Sequence, residues 1–100
     1  MITTKQRAYL RNLGATLTPI FQIGKGGIEE NFLIQVSQAL EARELIKIKV
    51  LENSGLAARE ASDMICEAIK CEGVQAIGNK IVLYKQSSNV KKRKIELPTK

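Results

Sequence analysis

An apolar run, Ile20 to Ile23, stops at three glycines in four residues, Gly24-Lys25-Gly26-Gly27. A helical pattern starts at once, with apolar residues at Ile28, Phe32, Leu33, Val36, Ala39 and Leu40. The succession reads as strand, glycine loop and helix, the opening move of an α/β chain. Glycines let the backbone take positive φ and approach a ligand closely. The new helix turns its free N–H groups and the positive end of its dipole toward the loop. Such a turn favours an anion, phosphate above all, and Lys25 adds a mobile positive charge. A plain strand-to-helix turn uses the same glycines, so the loop alone does not decide its role.

Nucleotide motifs fail here. A dinucleotide fingerprint needs a third glycine where Glu29 stands, and that carboxylate repels a pyrophosphate. A Walker loop needs Gly where Pro19 stands, and Ser or Thr where Gly26 stands. What remains is a short G-K-G-G clamp, similar to the loop with which KH-type domains hold a nucleic-acid backbone.

The flanking chain supplies further elements. Thr3 and Gln6 have capping-box spacing and predict a helix to about Leu13, ended by Gly14. Its wheel gathers Gln6, Tyr9, Leu10 and Leu13 on one side and Arg7 with Arg11 on the other. The second helix is expected over about Ile28 to Ala42. Glu44 to Leu51 is the clearest strand, with Ile46, Ile48 and Val50 alternating with Lys47 and Lys49. A third helix is expected over about Leu56 to Cys71, with an acidic outer side of Glu60, Asp63 and Glu67, ended by Glu72-Gly73. Val74–Ile77 and Lys80–Lys85 flank Gly78-Asn79, a two-residue hairpin signal. Ile81 to Tyr84 is apolar throughout, as in a strand covered on both faces. The order is therefore αβαβαββ: an α/β two-layer sandwich with a four-stranded mixed sheet and right-handed crossovers. Helices two and three share one face.

One hundred residues make one domain. No run approaches the ~18 apolar residues of a membrane span, and the start of the chain lacks a signal-peptide pattern, so a cytoplasmic protein is expected. The chain has no His, and its two cysteines, Cys66 and Cys71, fall on different faces of the expected third helix. Metal, cofactor and catalytic sites are accordingly not expected. The net charge of +6 is unevenly spread. Residues 1–28 hold four bases and no acid, residues 29–72 hold nine acids against five bases, and residues 73–100 hold seven bases against Glu96. Such polarity suits a polyanionic partner, although surface charge also serves solubility. From Gln86 onward the apolar pattern fails, and Lys91-Lys92-Arg93-Lys94 marks residues 86–100 as a basic, flexible tail beside a domain of residues 1–85. Deleting Val90 to Lys100 is expected to weaken binding to a polyanion and flatten its salt dependence, and to leave thermal stability nearly unchanged.

Four blocks in order carry a resemblance. They are Lys5-Gln6-Arg7 with Leu10-Arg11; Pro19 followed by Gln22-Ile23-Gly24-Lys25-Gly26-Gly27; Ala39-Leu40-Glu41-Ala42-Arg43-Glu44-Leu45-Ile46-Lys47; and Gly78-Asn79-Lys80-Ile81-Val82-Leu83-Tyr84-Lys85. The chain resembles the YhbY-like, or CRM (chloroplast RNA splicing and ribosome maturation), RNA-binding domain family over Lys5 to Lys85, in its stand-alone bacterial form. Two departures stand out: Gly14-Ala15 replaces the family's frequent Ala-His, and Lys85 replaces the Arg that usually follows the closing Tyr. The resemblance implies a topology similar to the C-terminal domain of translation initiation factor three. It also implies a non-enzymatic RNA-binding protein that binds ribosomal RNA of large-subunit precursors and assists ribosome assembly.

The candidate RNA-binding residues are Gly24, Lys25, Gly26 and Gly27 in the loop, Arg7 and Arg11 on the first helix, and Lys5, Lys47, Lys49 and Lys80 as weaker contacts. With few aromatics, backbone and shape should outweigh base stacking. The expected partner is RNA, with no membrane, no small-molecule substrate and a monomeric state. One competing reading is a protein-interaction module using the acidic helical face. Another is a phosphate or nucleotide enzyme using the glycine loop, which the failed motifs disfavour.

Overall fold

The computed structural model describes residues 2–98. The chain runs α1 (Thr4–Gly14), β1 (Phe21–Ile23), α2 (Glu30–Arg43), β2 (Leu45–Val50), α3 (Ala58–Ile69), β3 (Glu72–Ile77) and β4 (Lys80–Tyr84). Single 3₁₀ turns occupy Glu52–Ser54 and Val90–Lys92. This is the αβαβαββ order read from the sequence. The strands form one mixed sheet in the spatial order β1-β2-β4-β3. β1 is parallel to β2, and β4 is antiparallel to both of its neighbours.

The central place of β4 explains its unbroken apolar run, because Ile81, Val82, Leu83 and Tyr84 are all buried. Ile81 and Leu83 join Ile46, Ile48, Val36, Leu40 and Ile65 in the larger core, under α2 and α3. Val82 and Tyr84 point the other way, into a smaller core with Leu10, Leu45 and Val74. Helix α1 therefore lies on the opposite sheet face from α2 and α3, and the two expected layers gain a third, partial one. The capping box at its start is made: Thr3 N–H donates to Gln6 Oε1 at 2.9 Å and Gln6 N–H to Thr3 Oγ1 at 3.1 Å.

Two glycines do other work than the sequence suggested. Gly14 is the last residue of α1, yet it does not adopt the left-handed conformation of a helix stop. A Cβ there would come within 2.9 Å of Val82 Cγ1, so the bare backbone is what lets α1 settle on the sheet. Gly73 lies inside β3, where a Cβ would meet Ser62 Oγ at 2.9 Å. The third helix is ended instead by Lys70, at φ 59 and ψ 48. Cys71 consequently lies outside the helix, and the reversal at Lys70 brings its sulfur to 3.5 Å from that of Cys66, rather than onto a different helical face. At the hairpin, Gly78 has φ 60 at the first turn position, which the right-handed twist of the flanking strands calls for.

Residues 86–98, expected to be flexible, make specific contacts. Glu44, fully buried at φ 67 just past α2, accepts hydrogen bonds from the backbone N–H of Ser87 at 2.8 Å, Lys94 at 2.6 Å and Ile95 at 2.9 Å. Glu41, one turn earlier, accepts from Ser87 Oγ at 2.9 Å and Ser88 Oγ at 2.7 Å, and from the Ser88 and Asn89 amides. Ile95 and Leu97 pack partly against the smaller core.

Candidate nucleic-acid interface

The glycine loop leaves β1 at the end of the sheet where β2 also finishes. The edge-to-face pair of Phe21 and Phe32, with ring centroids 5.8 Å apart, fixes the strand before the loop against the helix after it. Leu51 N–H donates to Ile23 O at 2.9 Å, and Gly27 N–H closes a turn onto Gly24 O at 2.9 Å. Gly27 supplies the positive φ, 71°. Lys25 is exposed on that turn. The start of α2 has no side-chain cap, and the Glu29 carboxylate curls back over the loop instead, 2.6 Å from where a Gly26 Cβ would stand. With Glu30 also in the first turn, the positive end of the helix is already partly answered by acids. The attraction for an anion therefore rests on Lys25 and the open backbone more than on the helix dipole.

The strand lysines gather beside this loop. Lys49 on β2 is directly opposite Lys80 on β4 and, on its other side, Gln22 on β1. Alternation with buried Ile48 and Ile81 puts all three on the α1 face of the sheet. At ~4.8 Å per strand, the row spans about 10 Å. Like charges in directly opposed positions repel, and a bound phosphate relieves that repulsion. Lys47 is two residues back along the same face, in register with Val82.

The arginines occupy the other edge. Arg7 and Arg11 line a groove of about 760 Å³ whose floor is β3 and whose far wall is α3, with Arg59, Ser62 and Asp63. Arg7 is half-buried and its guanidinium donates to the carbonyl of Gly73. The sheet order puts about 14 Å, three strand spacings, between this edge and the glycine loop. Lys5 is exposed in the first turn of α1. The neighbouring Ile2 and Gln6 share a cavity with Tyr84 and Glu72, which places Lys5 at the opposite end of the sheet from the loop. The structure thus brings Lys25, Lys49 and Lys80 to one end, sets Lys47 behind them, and holds Arg7 and Arg11 at the far edge.

Arg59 is the groove residue that the sequence did not single out. It is a lone base among the acids of α3, and only the fold shows it facing the arginines of α1. The basic cluster of residues 91–94 is exposed and rides on Glu41 and Glu44, near the C-terminal end of α2 and away from the loop. Hydrogen bonds from the side chain and backbone of Ser88, with those from Ser87 and Asn89, hold the Glu41 carboxyl down at about 2. Burial pushes the Glu44 carboxyl up, but the amides of Ser87, Ile95 and Lys94 and the charge of Arg93 outweigh it and leave it below its ordinary value. Burial, together with the charge of Glu44, raises the Tyr84 hydroxyl.

Among the described residues, no helix is long and apolar enough to cross a membrane, and no cluster of side chains could hold a metal ion. The small α/β domain is matched over residues 2–85 by the CRS1 / YhbY (CRM) domain. The chain belongs to this family. It is 47% identical to the "Probable RNA-binding protein YqeI" of Bacillus subtilis over 98 residues, covering 98% of this chain and 100% of that one. It is 38% identical to an "RNA-binding protein" of Haemophilus influenzae, covering 99% and 97% of the two chains. The solution structure of SAV1595 from Staphylococcus aureus superposes with a TM-score of 0.75 at 44% identity, over 98% of this chain and 100% of that one.

Proposed function

We propose that this protein is a non-enzymatic, cytoplasmic, monomeric RNA-binding protein that binds ribosomal RNA in precursors of the large subunit and assists their assembly. The observation that carries the reading is that the opposed pair Lys49 and Lys80 stands at the same end of the sheet as the glycine turn bearing exposed Lys25. Three cations and a glycine backbone suit a phosphodiester chain, with the mobile Glu29 carboxylate the one acid that curls over the loop. Arg7, Arg11 and Arg59 give a second basic wall for a strand that continues across the sheet face. The names of the relatives, RNA-binding proteins in Bacillus subtilis and Haemophilus influenzae, support the RNA class.

The test is sedimentation of a cell extract followed by crosslinking. The protein is expected to travel with large-subunit precursor particles and to crosslink to their RNA through the glycine loop. Recovery only in the soluble fraction, with crosslinks to no ribosomal RNA, overturns the assembly role. The exposed acids Glu60, Asp63 and Glu67, beside exposed Met64, favour a second reading in which α3 docks a basic protein. Replacing those acids should then abolish particle association while RNA binding in vitro persists.

A further inference from the structure

The groove along β3 contains a feature that RNA binding does not use. Cys66 on α3 and Cys71 before β3 are both free thiols, and their sulfurs are 3.5 Å apart. The left-handed Lys70 between them creates this approach. A disulfide has a sulfur separation near 2.05 Å, so the two atoms need to close by only about 1.5 Å. The pair is also asymmetric. Cys66 is half-buried and Cys71 is buried, and both line the open groove with Arg7, Arg59 and Ser62.

We propose that Cys66 and Cys71 form an oxidisable dithiol, in which Cys66 is attacked first by a small hydroperoxide and Cys71 then closes an intrachain disulfide. In the first step the Cys66 thiolate attacks one peroxide oxygen, the O–O bond breaks, and hydroxide leaves and is protonated to water. Cys66 is now a sulfenic acid. In the second step the Cys71 sulfur attacks the Cys66 sulfur, the S–O bond breaks, and the departing hydroxide takes the Cys71 proton as a second water. Two thiols lose two electrons and the peroxide gains them. The order of the steps follows from the surroundings. Hydrogen bonds from Cys71 and Ser62 hold the Cys66 thiol below its ordinary range, against burial and the nearby Glu72 and Asp63 carboxylates. The Cys71 thiol is pushed well above its own, by its bond to Cys66 and by burial. The more accessible thiol is therefore also the readier nucleophile.

The experiment treats the folded, full-length protein with one equivalent of hydrogen peroxide at neutral pH. The expected product is a monomer lighter by two hydrogen atoms, with no free thiol. Trypsin should release Glu60–Lys70 joined to Cys71–Lys80 through sulfur. In Cys71→Ser the reaction should stop at a sulfenic acid on Cys66, trapped by dimedone. In Cys66→Ser oxidation should be at least tenfold slower. Thiols that stay reduced until denaturant is added, equal rates at the two cysteines, or a disulfide between two molecules overturn the proposal. If Cys71→Ser does not fold, the linked peptide from the unsubstituted protein decides alone.

Discussion

Lys25 stands on a turn with no packing duty, so it separates binding from folding cleanly. Lys25→Ala should change stability by no more than about 0.5 kcal/mol and lower the slope of log affinity against log salt by roughly 0.7 to 0.9. Filter binding to ribosomal RNA fragments at several salt concentrations, beside a urea melt, measures both. Its neighbours behave differently. Gly27→Ala forces a side chain into φ 71 and should cost about 1–2 kcal/mol. Gly26→Ala meets only the mobile end of Glu29 and should cost much less. Glu29→Gln removes the carboxylate that curls over the loop and should tighten RNA binding with little effect on stability; unchanged affinity would show that the acid lies outside the bound RNA's field. The sequence made the loop and its lysine legible. It could not say which glycine carries the positive φ, because three candidates within four residues all satisfy the same local rule.

Among the elements, two helix ends make a matched experiment. Both Glu44 and Lys70 are non-glycine residues at positive φ, where glycine is ordinarily favoured. Lys70 is exposed, and Lys70→Gly should stabilise by about 0.5–1 kcal/mol by relieving backbone strain. Glu44→Gly relieves similar strain but strands the Ser87, Lys94 and Ile95 amides, so it should destabilise by about 1–3 kcal/mol. Opposite signs in denaturant midpoints check the pair. In the sheet, Lys80→Gln should raise stability by a few tenths of a kcal/mol by removing the repulsion from Lys49, and should weaken RNA binding. A loss of both would mark Lys80 as structural. Strand positions were readable because alternation in β2 and the apolar run of β4 report burial directly. The seat of α1 was not, since Leu10 declares only that it is buried and not under which face. The Cys66–Cys71 approach was hidden for a related reason: the helix stop is a lysine, where sequence rules look for glycine.

For the molecule as a whole, the family match ends at residue 85, while the packing continues to residue 98. Truncation after Gln86 should cost about 2–4 kcal/mol, from the half-buried Ile95 and Leu97 and the donors withdrawn from Glu44. Composition alone set the opposite expectation, because Lys91 to Lys94 conceal two apolar residues that find a place only once α1 and the sheet exist. The same contacts set an acid response. Glu41 and Glu44 titrate below their ordinary value of 4.5 when folded, so the unfolded chain binds protons first. Their contribution is complete above about pH 5 and falls away as pH drops toward 2; Glu41→Gln should flatten urea midpoints across that interval. The strand order carries one further consequence, in time rather than space. β4 lies between β2 and β3, yet it is the last strand to leave the ribosome. Until it arrives β3 has no partner, α3 has half a sheet to rest on, and only the short β1–β2 pair can form. Nascent chains arrested before Lys80 should therefore remain protease-sensitive throughout, and protection should appear in a single step once Tyr84 is free to insert.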